Sequence, residues 1–187
     1  MILQNNPYNV VVVDEAYVDF GAESCIPLIR EYDNLLVTQT FSKSRSMAGG
    51  RLGFGAANPE IIRDLETIRY STNPYNLDRM TLAAGEACLE HDDYNRKNCR
   101  TILRTREMTR IALEKLGFET TPSKANFLFV RHPEISGADL YRKLKERGIL
   151  VRHFNTERIR EYNRISVGTD AQMNTLVREI EKIIKNS

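Results

Sequence analysis

The chain has 187 residues, of which 41 % are hydrophobic and 28 % charged, and a net charge of +2; that length buries a sizeable core in one or two modest domains. The mild charge and the lack of a long basic run exclude a nucleic-acid-tracking patch, and no apolar run reaches membrane length. Cys25, Cys88 and Cys99 are too scattered for a disulfide framework or a zinc site, and His91, His132 and His153 lack metal-ligand spacing, so no metal is expected.

Residues 1–9 are polar and broken by Asn5-Asn6-Pro7. They show no basic-then-apolar leader, so the expected location is the cytoplasm. Four valines at 10–13 then read as a buried strand ending in Asp14-Glu15-Ala16-Tyr17. A short helix is expected over 26–32, with Pro27 in its first turn, and a second strand over 35–40. Residues 10–40 thus form one βαβ unit. A helical turn is expected over 43–50 and a third strand over 52–57. Gly53-x-Gly55 lacks the third glycine of a dinucleotide fingerprint, and a lysine following directly on a strand fails the phosphate-loop pattern.

Asn58-Pro59-Glu60 starts a helix whose apolar face is Ile61, Ile62, Leu65 and Ile68. A break at 70–76 precedes two helices, roughly 77–90 and 92–116, the second stopping at Gly117. From Phe118 the elements shorten. A strand is expected over 125–130, then a helix capped by Ser136 and stopped at Gly148, and two strands over 149–153 and 164–167. Thr169 and Gln172 match a capping box ahead of the last helix, which carries Met173, Leu176, Val177, Ile180, Ile183 and Ile184 on one face. The fold class is α/β: a truncated, mostly parallel sheet with helices in residues 1–76, then linking helices and a small α+β domain in 77–187.

Chemistry concentrates in two stretches. Asp14 and Tyr17 sit at the carboxyl end of the first strand, where open α/β sheets bind ligands. Lys43 lies among Thr40, Ser42, Ser44 and Ser46, eight residues before Arg51. An amine among hydroxyls and an arginine suits a phosphorylated aldehyde: Lys43 could form a Schiff base while Ser42 and Arg51 hold the phosphate.

Val-Val-Val-Asp-Glu-Ala-Tyr-Val-Asp-Phe (11–20) and Thr-Phe-Ser-Lys-Ser-Arg-Ser-Met-Ala-Gly-Gly-Arg-Leu-Gly-Phe (40–54) resemble the class I/II aminotransferases of pyridoxal phosphate (PLP) fold type I, among them the histidinol-phosphate aminotransferases. The resemblance implies PLP as cofactor, with Lys43 as its covalent anchor and proton carrier, Asp14 beside the ring nitrogen, Tyr17 on the ring oxygen, and Ser42, Arg51 and Thr40 on the phosphate. It implies that Arg164, in Asn-Arg-Ile-Ser-Val-Gly-Thr, binds the substrate carboxylate, with Arg152 as a further substrate contact. Burial of Lys43 near Arg51 is expected to favour the neutral amine. The implied substrates are an amino acid and a 2-oxo acid, here histidinol phosphate and 2-oxoglutarate. The rival readings are a PLP decarboxylase of a phosphorylated amino acid and a non-catalytic remnant that self-associates.

The resemblance spans about the second half of a family member. The Asn-Pro-x-Gly segment and the tyrosine given to a neighbouring subunit have no counterpart here. A truncated fragment with no useful activity of its own is therefore expected. Strand edges left without partners predict a homodimer or larger self-assembly.

Overall fold

Strand β1 (Val11–Asp14) runs parallel to β2 (Leu35–Thr40). Strand β3 (Gly53–Ala57) returns antiparallel on the other side of β2, giving the order β1-β2-β3. This is a computed structural model, and it describes residues 2–186. The β-branched runs favour strands because such side chains pack well on a pleated surface. Alternation sends Val11, Val13, Leu35 and Val37 to one face, where Leu3, Ile26, Leu28 and Ile29 cover them. The helix expected over 26–32 is a 3-10 helix, Ile26–Arg30. Its bonds run three residues back, Leu28 N–H to Cys25 and Glu31 N–H to Leu28, which limits it to a short piece. The other face carries Val12, 57 % exposed, with Gly53 and Gly55 opposite Thr40 and Thr38.

Helix α1 (Pro59–Thr72) starts as its sequence dictates, the Asn58 side chain accepting the Glu60 N–H at 3.0 Å. It runs on to Thr72, three residues into the expected break, since Tyr70, Ser71 and Thr72 do not prevent a helix from continuing. Asp78 caps α2 (Arg79–Glu90) by accepting the Thr81 N–H at 2.8 Å.

The chain divides into two compact units, Met1–Asn98 and Cys99–Ser187, with the division inside α3 (Asp92–Lys115). The second unit is built on an antiparallel sheet. Its strands are β4 (Glu119–Thr120), β5 (Phe127–Arg131), β6 (Arg152–His153) and β7 (Asn163–Ser166), in the order β4-β5-β7-β6. Helices α4 (Gly137–Glu146) and α5 (Asp170–Lys185) complete it. Leu128, Val130 and Ile165 point to one face and join Leu113, Leu140, Leu144, Ile180 and Ile183 in a core. Each such buried side chain contributes about 1.5–3 kcal/mol. The capping box forms as read, Thr169 accepting from Gln172 and Gln172 from Thr169.

Gly137 opens α4 against the chain turn at 160–161, where an added Cβ would lie 2.5 Å from the Arg160 carbonyl oxygen. Backbone cannot yield as a flexible side chain can. Gly137→Ala is therefore expected to lower unfolding free energy by about 1–3 kcal/mol, read by urea denaturation; an unchanged midpoint would show that the turn relaxes freely. Among the described residues no helix is long and apolar enough to cross a membrane.

Candidate active site

Lys43 stands on the loop after β2, and the loop is fixed from both sides of the lysine. Phe41 N–H donates to the Leu52 carbonyl at 3.1 Å and Met47 N–H to the Phe41 carbonyl at 3.0 Å, closing the loop at its base. Ser44 is buried and donates its hydroxyl to the Asp19 carboxylate. Arg45, its side chain 14 % exposed, donates to Asp92 at 2.9 Å and to the Cys88 carbonyl at 3.2 Å. Its guanidinium also lies 5.4 Å from the Phe41 ring centroid, a cation–π distance. Hydrogen bonds from Arg96 first, and then from Arg45, hold the Asp92 carboxyl below the ordinary carboxylate range, against burial that pushes it up.

Two non-glycine residues of the loop, Ser46 (φ 57°) and Arg51 (φ 56°), take the left-handed conformation. Such strain persists only where surrounding contacts impose it, and it concentrates at functional sites. Lys43 itself is exposed, contrary to the expected burial. The inward positions of the loop are taken by Ser44 and Arg45, which leaves the lysine between them and the solvent. Its Nζ lies 5.6 Å from the centroid of the Tyr17 ring.

Thr40 and Ser42 share a hydroxyl–hydroxyl bond of 3.0 Å, and Ser42 N–H donates to the Thr40 hydroxyl at 3.1 Å. Arg51 donates one guanidinium nitrogen to the Ala48 carbonyl at 2.9 Å. A guanidinium has five N–H donors, so capacity for an anion is left over. Asp14 lies at the exposed end of β1 and accepts the Ala16 N–H at 2.9 Å, which turns the chain toward Tyr17.

The residue that shapes this turn is Glu15, which the sequence reading did not single out. It is 8 % exposed and accepts three bonds: Ser24 hydroxyl at 2.7 Å, Cys25 N–H at 2.5 Å and Gln39 Nε2 at 2.9 Å. It thus holds the two ends of the segment bearing Tyr17 and Asp19. A signal for it existed. Alternation along β1 places residue 15 on the same face as Val11 and Val13, and an inward carboxylate needs partners.

The second unit holds the other two candidates. Arg164 of β7 is the direct cross-strand partner of both Phe129 in β5 and Arg152 in β6. These side chains, with that of Phe127, lie on the face opposite the Leu128–Ile165 core. Two like charges directly opposite are destabilising. Neither arginine forms an ion pair among the described residues; each instead sits by an aromatic ring, Arg164 at 5.2 Å from Phe127 and Arg152 at 5.5 Å from Phe154. Arg164 Nε is buried without a hydrogen-bond partner. An opposed, unneutralised pair of this kind is suited to an anion with more than one charge.

Comparison with known proteins bears on this arrangement. The family described as aminotransferase class I and II matches residues 3–180. The chain belongs to that family. This aminotransferase chain is 47 % identical to the histidinol-phosphate aminotransferase of Brachyspira hyodysenteriae over 99 % of its own length and 52 % of that relative. It spans about half the length of the curated relatives it matches. Its fold superposes on the crystal structure of the histidinol-phosphate aminotransferase from Clostridium acetobutylicum with a TM-score of 0.89, at 24 % identity, covering all of this chain and 58 % of that one. The enzyme of the same name from Sinorhizobium meliloti, solved in complex with pyridoxal-5'-phosphate, gives a TM-score of 0.80 at 27 % identity over 95 % of this chain and 49 % of that one. In this chain β3 lies antiparallel on one side of β2 and β1 lies parallel on the other.

Proposed function

We propose that this chain is the lysine-bearing part of a PLP-dependent aminotransferase that moves an amino group between histidinol phosphate and 2-oxoglutarate, in cytoplasmic histidine biosynthesis. The observation that carries the reading is Lys43 on its strained, doubly tethered loop, with Tyr17 against its Nζ. The names of the 47–49 % identical relatives support histidinol phosphate as the amino-group substrate.

The residues present fit the cofactor by their donor chemistry: an amine, a carboxylate, a phenol, two hydroxyls and an arginine. Bound pyridoxal phosphate supplies the electron sink that amino transfer requires. Lys43 Nζ would anchor it and, once displaced by the substrate amine, would accept and return the proton at the substrate carbon. The Asp14 carboxylate keeps the ring nitrogen protonated by opposite-charge stabilisation. Tyr17 Oη donates to the ring oxygen. Ser42, Thr40 and Arg51 hold the phosphate with charge-assisted bonds. Arg164, with Arg152 beside it, binds the substrate carboxylate. In this reading residues 1–76 continue a larger cofactor-binding domain, and 77–187 supply linking helices and a substrate-binding domain.

The exposed Val10 and Val12 and the unpaired outer edge of β1 support self-association as a homodimer or larger assembly. The function is tested by adding PLP to the purified chain, following absorbance, and then adding histidinol phosphate with 2-oxoglutarate. The expected result is a new absorbance band with glutamate formed only weakly. Carbon dioxide release from a phosphorylated amino acid in place of glutamate, or no band at all, would overturn the reading.

A further inference from the structure

We propose that Phe127 is a positioning residue for Arg164, its ring being the seat that holds the guanidinium in the orientation in which it accepts a carboxylate. The inference rests on the carboxylate-binding reading of Arg164 and extends it to a side chain that need not touch substrate.

Arg164 stands directly across from Arg152, a like charge at a cross-strand position. With no carboxylate paired to it among the described residues, repulsion would drive the long side chain into other rotamers. The Phe127 ring, its centroid 5.2 Å from the guanidinium carbon, opposes that drift. Attraction of a cation to a ring face engages the flat side of the guanidinium and leaves its in-plane N–H groups for a planar, bidentate partner.

The seat is itself fixed. The Phe127 carbonyl accepts the Ser123 hydroxyl at 2.6 Å, and its backbone pairs with Ser166 two positions along β7 from Arg164. Arg164 Nε is the atom that reports the arrangement, being buried and without a protein acceptor. Phe129, the direct cross-strand neighbour of Arg164, is stacked on Tyr162 with ring centroids 4.6 Å apart. The guanidinium lies by the Phe127 ring rather than by this stacked pair.

The test uses the 187-residue chain and the Arg Nε–H region of its nitrogen–proton NMR spectrum, with 2-oxoglutarate as the titrant. In the wild type the Arg164 Nε–H signal should be slow to exchange and displaced by the Phe127 ring current, and should move on addition of 2-oxoglutarate. Phe127→Leu should erase the ring-current displacement and weaken 2-oxoglutarate binding about tenfold. Phe127→Met removes the ring with an unbranched chain and serves if the leucine variant does not fold. Phe127→Tyr keeps the ring and should restore both readouts. Unchanged affinity in the leucine or methionine variant, or failure of tyrosine to restore it, overturns the positioning role and leaves that of Arg164 standing. An Arg164 signal that ignores 2-oxoglutarate in the wild type overturns both.

Discussion

After addition of pyridoxal phosphate, borohydride reduction is expected to leave the pyridoxyl group on Lys43, and Lys43→Ala to lower its recovery by at least about a hundredfold, the scale set by loss of a positioned reactant. Among residues 1–98 the only other lysine is Lys97. Lys182 and Lys185 are tied to Glu179 and Glu181 in ion pairs. Only Lys43 combines a loop held at Ser44 and Arg45 with a phenol ring against its amine. Peptide mapping of the reduced protein decides the matter. A label spread evenly over the exposed lysines would mean that the loop confers no selectivity. Arg45→Ala provides an internal comparison: it keeps the amine but frees one side of the loop, so it should lower labelling less than removal of the lysine does.

The largest loss of stability is expected from Glu15→Ala. It strips the acceptor from the Ser24 hydroxyl, the Cys25 N–H and Gln39 Nε2 at once. Leaving partly buried donors without a charged acceptor costs about 2–4 kcal/mol in total, and a chain of this size should melt roughly 5–15 °C lower. Glu15→Gln keeps one oxygen acceptor and should lose about half as much. A second readout is local. Burial pushes the Cys25 thiol up from its ordinary pKa, and the neighbouring Glu15 charge pushes it further. Removing that charge brings the thiol down, so a larger fraction is thiolate at neutral pH and alkylation of Cys25 should quicken. A Glu15→Ala protein that melts with the wild type and alkylates at the same rate would show that the network holds nothing in place.

Where one period or one cap decides an element, the sequence foretold it. Strand β2 falls on residues 35–40 as read, because an apolar run bounded by polar turns leaves one solution. Asn58, Ser136 and Thr169 cap the helices assigned to them, since a side-chain oxygen before an amphipathic run has one main use. Strand β4 escaped notice because two residues carry no period; its existence depends on β5 lying alongside. Residue types and spacing were enough to nominate the candidate site, but not to show its supports. Asp19, Glu15 and Arg45 act through partners 9 to 47 positions away, and such pairings are products of the fold. The exposure of Lys43 was missed for a related reason. A loop of alternating hydroxyl and basic residues does not say which of them turns inward.

Ser46 and Arg51 give the lysine loop a further property. An L residue in the left-handed region sits about 1–2 kcal/mol above its ordinary conformations, so the loop keeps its shape because alternative shapes are closed to it by the tethers at Ser44 and Arg45. Replacing Ser46 with glycine would remove the strain and also restore the conformers that the serine forbids. The loop would then be more comfortable and less definite. Lys43 would occupy a broad set of positions, and any partner meeting its amine would have to gather that spread again as lost entropy. Backbone strain in this protein therefore acts as stored order, which confines the Lys43 amine to few positions before any partner arrives.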